Sequence, residues 1–145
     1  MHHKNLRCKK LTFKEQFMKI VATIVRLLLG LVFLVFGINH IFPFIPLGPL
    51  FTGTVGQFFA LLMTTHYLYV VAVLEIVGAV PLLINRYVPL GLTLLGLVIV
   101  NILLVQGLMQ PSGLPVGVVV TFLWLLVFYR VRSAFAGIFQ QHVNG

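Results

Sequence analysis

Glu75 is the residue of this 145-residue chain whose type and setting most suggest chemistry. It is one of only two acidic residues, the other being Glu15, and it lies inside the apolar run from Tyr67 to Ile84 with no other charge beside it. A carboxylate in hydrocarbon costs roughly 2.5 to 3.5 kcal/mol on insertion scales, so it must take a partner or carry a proton. Arg26 is the cation that the preceding apolar run offers. Arg26, Gly30, Phe33, Gly37 and His40 follow the spacing i, i+4, i+7, i+11, i+14, which aligns them on one helical stripe directed at other helices. If the first span starts near Ile20, Arg26 lies about 9 Å deep and Glu75 about 13 Å deep from the same side. These depths predict a buried Arg26–Glu75 ion pair or proton site. In the alternative reading, Arg26 reaches the headgroups and Glu75 is protonated.

A second set of polar residues falls at the opposite membrane face. Asn39 and His40 close the first span, Thr64, Thr65 and His66 precede the second, and Asn101 and Gln106 lie in the later part of the third. Antiparallel packing predicts that Asn39, His40, His66, Asn101 and Gln106 meet at similar depth around an apolar pocket, which suits a quinone or another small amphiphile. Hydrogen bonding between helices accounts for the same residues without a ligand. His40 and His66 have no third ligand and no zinc-type spacing, so no metal site is expected. A phosphate loop, a nucleophile with its base, a carboxylate pair and a dinucleotide fingerprint are all missing from the sequence. No self-contained catalytic constellation is therefore expected; any enzymatic role is that of an oxidoreductase subunit.

The elements that position these residues follow from composition. With 60% apolar residues, 8% charged and a mean hydropathy of +1.10, the chain belongs in a lipid bilayer. Its length allows about four spans of roughly 20 residues. Boundaries at Pro, Gly, Asn and Arg place them near 20 to 42, 67 to 85, 87 to 108 and 116 to 131. The expected fold is all-α: a four-transmembrane-helix bundle over 20–139, with a basic leader at 1–19 and a tail at 140–145. Pro43, Pro46 and Pro49 interrupt helical geometry after the first span. Beyond them Val55, Phe58, Phe59 and Leu62 recur at helical spacing, predicting a short interfacial helix between spans one and two. Asn85 to Pro89 forces spans two and three into a hairpin. Pro81 within span two predicts a kink near Glu75.

Charge placement sets orientation. Six of the ten basic residues precede the first span, Arg86 lies in the hairpin, and Arg130 with Arg132 follow the last span. The net charge of +8 is thus not spread along a nucleic-acid-binding face. The positive-inside rule predicts a multi-pass protein of the inner (cytoplasmic) membrane with both termini cytoplasmic. The first apolar stretch exceeds a signal-peptide core and lacks a small-residue cleavage site, so it is read as a retained helix. Cys8 is the only cysteine, which excludes an intramolecular disulfide.

Three stretches carry a resemblance. Arg-Leu-Leu-Leu-Gly-Leu-Val-Phe-Leu-Val-Phe-Gly-Ile-Asn-His from Arg26, Leu-Glu-Ile-Val-Gly-Ala-Val-Pro-Leu-Leu around Glu75, and Arg-Tyr-Val-Pro-Leu-Gly-Leu from Arg86 resemble the DoxX/DoxD-like membrane proteins. The likeness runs from about Val25 to Phe139, and its most specific elements are Arg26 with Gly30 and Gly37, and Glu75 with Gly78. It implies a four-helix membrane protein and, by the family name, association with quinol oxidation and thiosulfate:quinone oxidoreduction. Where this chain has Gln106, many relatives carry a His, so the outer site here has one titrating group fewer. Two functions follow as expectations: a quinone-proximal accessory subunit working with redox-complex partners, or a non-enzymatic membrane assembly or scaffold protein. A small-molecule carrier, which would need a homo-oligomer, is a third.

Overall fold

The computed structural model describes residues 12–139, and the leader residues 1–11 with Cys8 and the tail 140–145 lie outside them. Five α-helices are joined by short turns: α1 (Phe13–Ile41), α2 (Gly53–Thr64), α3 (Tyr67–Ile84), α4 (Val88–Met109) and α5 (Leu114–Val131). No strand occurs among the described residues. Helices α1, α3 and α4 and the segment Pro111–Ala136 are each long and apolar enough to cross a bilayer, and α2 is not. The four-span bundle with one extra short helix is therefore the observed architecture, that of a multi-pass membrane protein.

Helix α1 starts at Phe13, seven residues before the expected entry of span one. Glu15 supplies the reason: its carboxylate accepts the Thr12 N–H at 3.1 Å, closing the first turn as a capping-box acid does. At the other end, the first proline of the loop, Pro43, directly follows the cap residue Phe42. Helix α2 turns Val55 inward to 1% exposure with Phe58, Phe59 and Leu62 half-buried, while Thr54, Gln57 and Thr65 face out. This is the face its spacing predicts.

Small residues set how closely the spans approach. A Cβ on Gly30 would meet Leu82 and Leu83, and one on Gly37 would lie 2.8 Å from the Ile76 side chain and 3.1 Å from the Ala72 carbonyl. These two glycines seat α1 on α3, as their place on the polar stripe predicts. Gly78 faces α4: a Cβ on it would lie 2.8 Å from the Leu95 side chain, and one on Gly91 would come within 2.6 Å of the Gly78 carbonyl. Helix α3 thus has one close face toward α1 and another toward α4, and it carries Glu75 between two tightly packed neighbours. Helix α5 is tied to α4 by Trp124, whose indole N–H donates to the Leu92 carbonyl at 2.9 Å.

The bundle has two unlike ends. At the hairpin end, Asn85 (φ +56°) and Tyr87 (φ +56°) turn the chain from α3 into α4 within three residues. Asparagine tolerates this left-handed conformation, and the Arg86 N–H reaches back to the Pro81 carbonyl at 3.2 Å, the long bond of a Schellman-type helix end. Helix α3 continues through Pro81 to Ile84. At the loop end, the Pro-rich segment and α2 fold over the bundle, and Gln110 after α4 donates to the Leu50 carbonyl at 2.8 Å.

Candidate functional site

Glu75 is 3% exposed, and its partner is a histidine. The Glu75 carboxylate oxygen Oε2 lies 2.9 Å from His40 Nδ1, so one proton is shared across this contact. Helix α3 delivers Glu75 from the row that also buries Leu68, Ala72, Gly78, Ala79 and Leu82. Helix α1 delivers His40 from the last turn of its polar stripe. The contact depends on Gly37, which lies over Glu75 Cβ and lets α1 come close enough.

Arg26 does not pair with Glu75. Its Nη1 donates to the Leu82 carbonyl near the C-terminus of α3. Arg86 bonds Pro81 rather than Leu82, leaving that carbonyl among the orphans of a helix end, where a guanidinium also meets the negative pole of the helix dipole. The expected ion pair fails on register. Gly30 lies against Leu82 and Leu83, and Gly37 against Ala72, Glu75 and Ile76, so the end of α3 falls beside Arg26 and Glu75 falls within reach of His40. The depth estimate counted α1 from Ile20 as though both helices entered the bilayer at the same level.

Of the five residues expected around the loop-end pocket, two line a cavity there. It measures about 560 Å³, and its walls include Asn39, His40, Phe44, Phe51, Phe59 and Met63. Asn39 is 4% exposed and spends its amide on the loop: Oδ1 accepts the Phe44 and Ile45 N–H groups at 3.0 and 2.6 Å, and Nδ2 donates to the Ile45 carbonyl at 3.3 Å. Asn39 therefore shapes the wall beside His40. His40 has Nδ1 on Glu75, and its Nε2 makes no hydrogen bond among the described residues.

The other three residues are elsewhere. His66 is exposed at the α2–α3 corner in a left-handed conformation (φ +60°), its ring 5.8 Å from that of Tyr69. Gln106 points to the start of α5, where Gly113 and Gly117 leave it room, and its Oε1 is buried without a hydrogen-bond partner. Asn101 is exposed on the outer surface of α4. A shared depth put these three with Asn39 and His40, but depth does not fix the direction in which a helix turns its side chains. Phe44, Phe51, Phe59 and Met63 were not anticipated as pocket residues. The every-third-residue prolines, followed by an aromatic-rich amphipathic turn, are the signal that could have suggested a folded-over wall. Among the described residues no group of three His, Cys, Asp or Glu side chains is placed to hold a metal ion.

Neither the curated proteins nor the solved structures contain a match to this chain. The DoxX family model does match, over residues 21–107. That match runs from the third turn of α1 to nearly the end of α4, taking in Arg26, His40, Glu75 and the close contacts of α3 with its two neighbours, and since it covers more than half of the sequence the chain belongs to the DoxX family of membrane proteins.

Proposed function

We propose that the chain is a quinone-proximal accessory subunit of a membrane redox complex, holding a small amphiphile at the loop end. The observation that carries this reading is His40, which is bonded to buried Glu75 through Nδ1 and is one of the residues that line the cavity. The cavity lies in the size range of small-molecule sites, roughly 300 to 1,000 Å³, and combines aromatic walls with one convergent polar group. A quinone ring fits that chemistry, stacking on Phe side chains and placing a carbonyl oxygen toward His40 Nε2.

A bound quinone would supply the electron-accepting ring, and a partner subunit the electrons. This chain's own residues would handle the proton. Glu75 would fix the orientation of the imidazole, as a carboxylate behind a histidine does in acid–base sites. Nε2 would then be the ring nitrogen through which a proton passes to or from the ligand. The lipid bilayer is the surrounding solvent. The basic residues at the hairpin end and after α5 support an inner (cytoplasmic) membrane with that end facing the cytoplasm.

A second reading rests on Arg26: a charged group spent on a helix carbonyl is a lock between helices, as a membrane scaffold or assembly protein needs. Equilibrium binding of a short-chain quinone to the purified protein in nanodiscs separates the two. The redox-subunit reading expects micromolar binding that falls at least tenfold in His40→Phe. No binding by the wild-type protein contradicts it.

A further inference from the structure

The outward side of α4 carries a sequence pattern that packing among the described residues leaves largely exposed. Leu90, Leu97 and Leu104 recur every seven residues, and Leu94, Asn101 and Leu108 recur every seven residues four positions later. This 4,3 alternation is the a/d seam of a coiled coil, with leucine at the three d positions and Leu, Asn, Leu at the a positions. Leu90, Leu97, Leu104 and Leu108 are all exposed, Asn101 with them, and Leu94 is half-buried at the edge of the seam. The side of α4 that packs inside the chain is a different one, formed by Gly91, Leu92, Leu95, Val98 and Ile99.

Asn101 makes this face more than a leucine-rich surface turned to lipid. It lies thirteen residues after Val88 and eight before Met109, so about 20 and 12 Å from the two ends of a spanning helix. An asparagine side chain is too short to reach water over either distance. Its amide makes no hydrogen bond among the described residues, and hydrocarbon offers it none. A polar group in that setting calls for a partner with donors and acceptors at the same depth.

We propose that a second copy of this chain supplies it, through a symmetric α4–α4 contact. Copies inserted with the same topology present α4 in parallel, related by a two-fold axis along the membrane normal. In register, each Asn101 then faces its counterpart. The carboxamide is self-complementary, each group donating through Nδ2 and accepting through Oδ1. A single asparagine at a central a position between leucines is also the device that selects a parallel, in-register, two-stranded pairing. The contact is independent of the quinone-subunit reading, because the seam lies on the outer surface of α4 and none of its residues lines the cavity.

Cysteine cross-linking in membranes tests it, with the lone native thiol removed by Cys8→Ser. Under mild oxidation Leu97→Cys and Leu104→Cys each give disulfide-linked dimers. Val73→Cys on α3 and Val118→Cys on α5, equally lipid-facing, stay monomeric. Adding Asn101→Leu to either seam variant lowers cross-linking on the order of tenfold while the melting temperature holds. The proposal is overturned if positions 97 and 104 fail to cross-link with Asn101 intact, if positions 73 and 118 cross-link as well, or if a folded Asn101→Leu protein cross-links unchanged.

Discussion

The polar stripe of α1 ends in two different uses of charge. Arg26 at the hairpin end meets a backbone carbonyl, Leu82 O, and closes a helix terminus. His40 at the loop end meets a side chain, Glu75, and borders a cavity. Both groups are half-buried on the same face of one helix, so the stripe alone does not distinguish them. What they face does. A carbonyl has no proton to exchange, so Arg26 can only stabilise; a carboxylate can gain or lose one, so His40 and Glu75 can also act. The more conspicuous charge of the first span thus closes a helix end, and the histidine borders the cavity.

Breaking the helix contact shared by both ends should have the largest effect. A Cβ at Gly37 has Ile76, the Ala72 carbonyl and Glu75 all within 3.1 Å, so Gly37→Val should destabilise the protein by about 3 kcal/mol and abolish ligand binding. Thermal unfolding in detergent beside a binding isotherm checks both. At the hairpin end alone, Arg26→Ala should cost about 2 kcal/mol through the orphaned Leu82 carbonyl and leave quinone affinity within twofold. A large loss of affinity in a folded Arg26→Ala protein would erase the distinction between the ends. At the loop end alone, Asn39→Ala removes three hydrogen bonds to Phe44 and Ile45, and affinity should fall about tenfold with a stability loss of about 1 to 2 kcal/mol. The smallest change should come from Gly107→Ala, where a Cβ meets nothing within 4 Å. The melting temperature should stay level or rise, by no more than about 1 kcal/mol of stability.

Periodicity and composition made the spans, the short amphipathic helix and the inward stripe of α1 legible, because each is a property of one segment. Partner choice was not. Whether Glu75 meets Arg26 or His40 depends on the register between two helices, set by the close contacts of Gly30 with Leu82 and of Gly37 with Ala72, Glu75 and Ile76. The direction of Asn101 and Gln106 depends on how α4 is rotated against α3 and α5, which their depth does not encode. The cavity belongs to neither kind of signal: it arises where a proline-broken loop, held by Asn39, is folded over by α2.

The identity of the Glu75 partner is the claim on which the rest stands, and a pair of double-mutant cycles addresses it most directly. Unfolding free energies would be measured in one detergent for His40→Ala, Arg26→Gln, Glu75→Gln and the two doubles that contain Glu75→Gln. The contact between Nδ1 and Oε2 predicts a His40–Glu75 coupling of about 1 kcal/mol or more, and Arg26–Glu75 effects that add within about 0.5 kcal/mol. Strong coupling of Glu75 to Arg26, with none to His40, would contradict the account and restore the ion pair that the sequence first suggested.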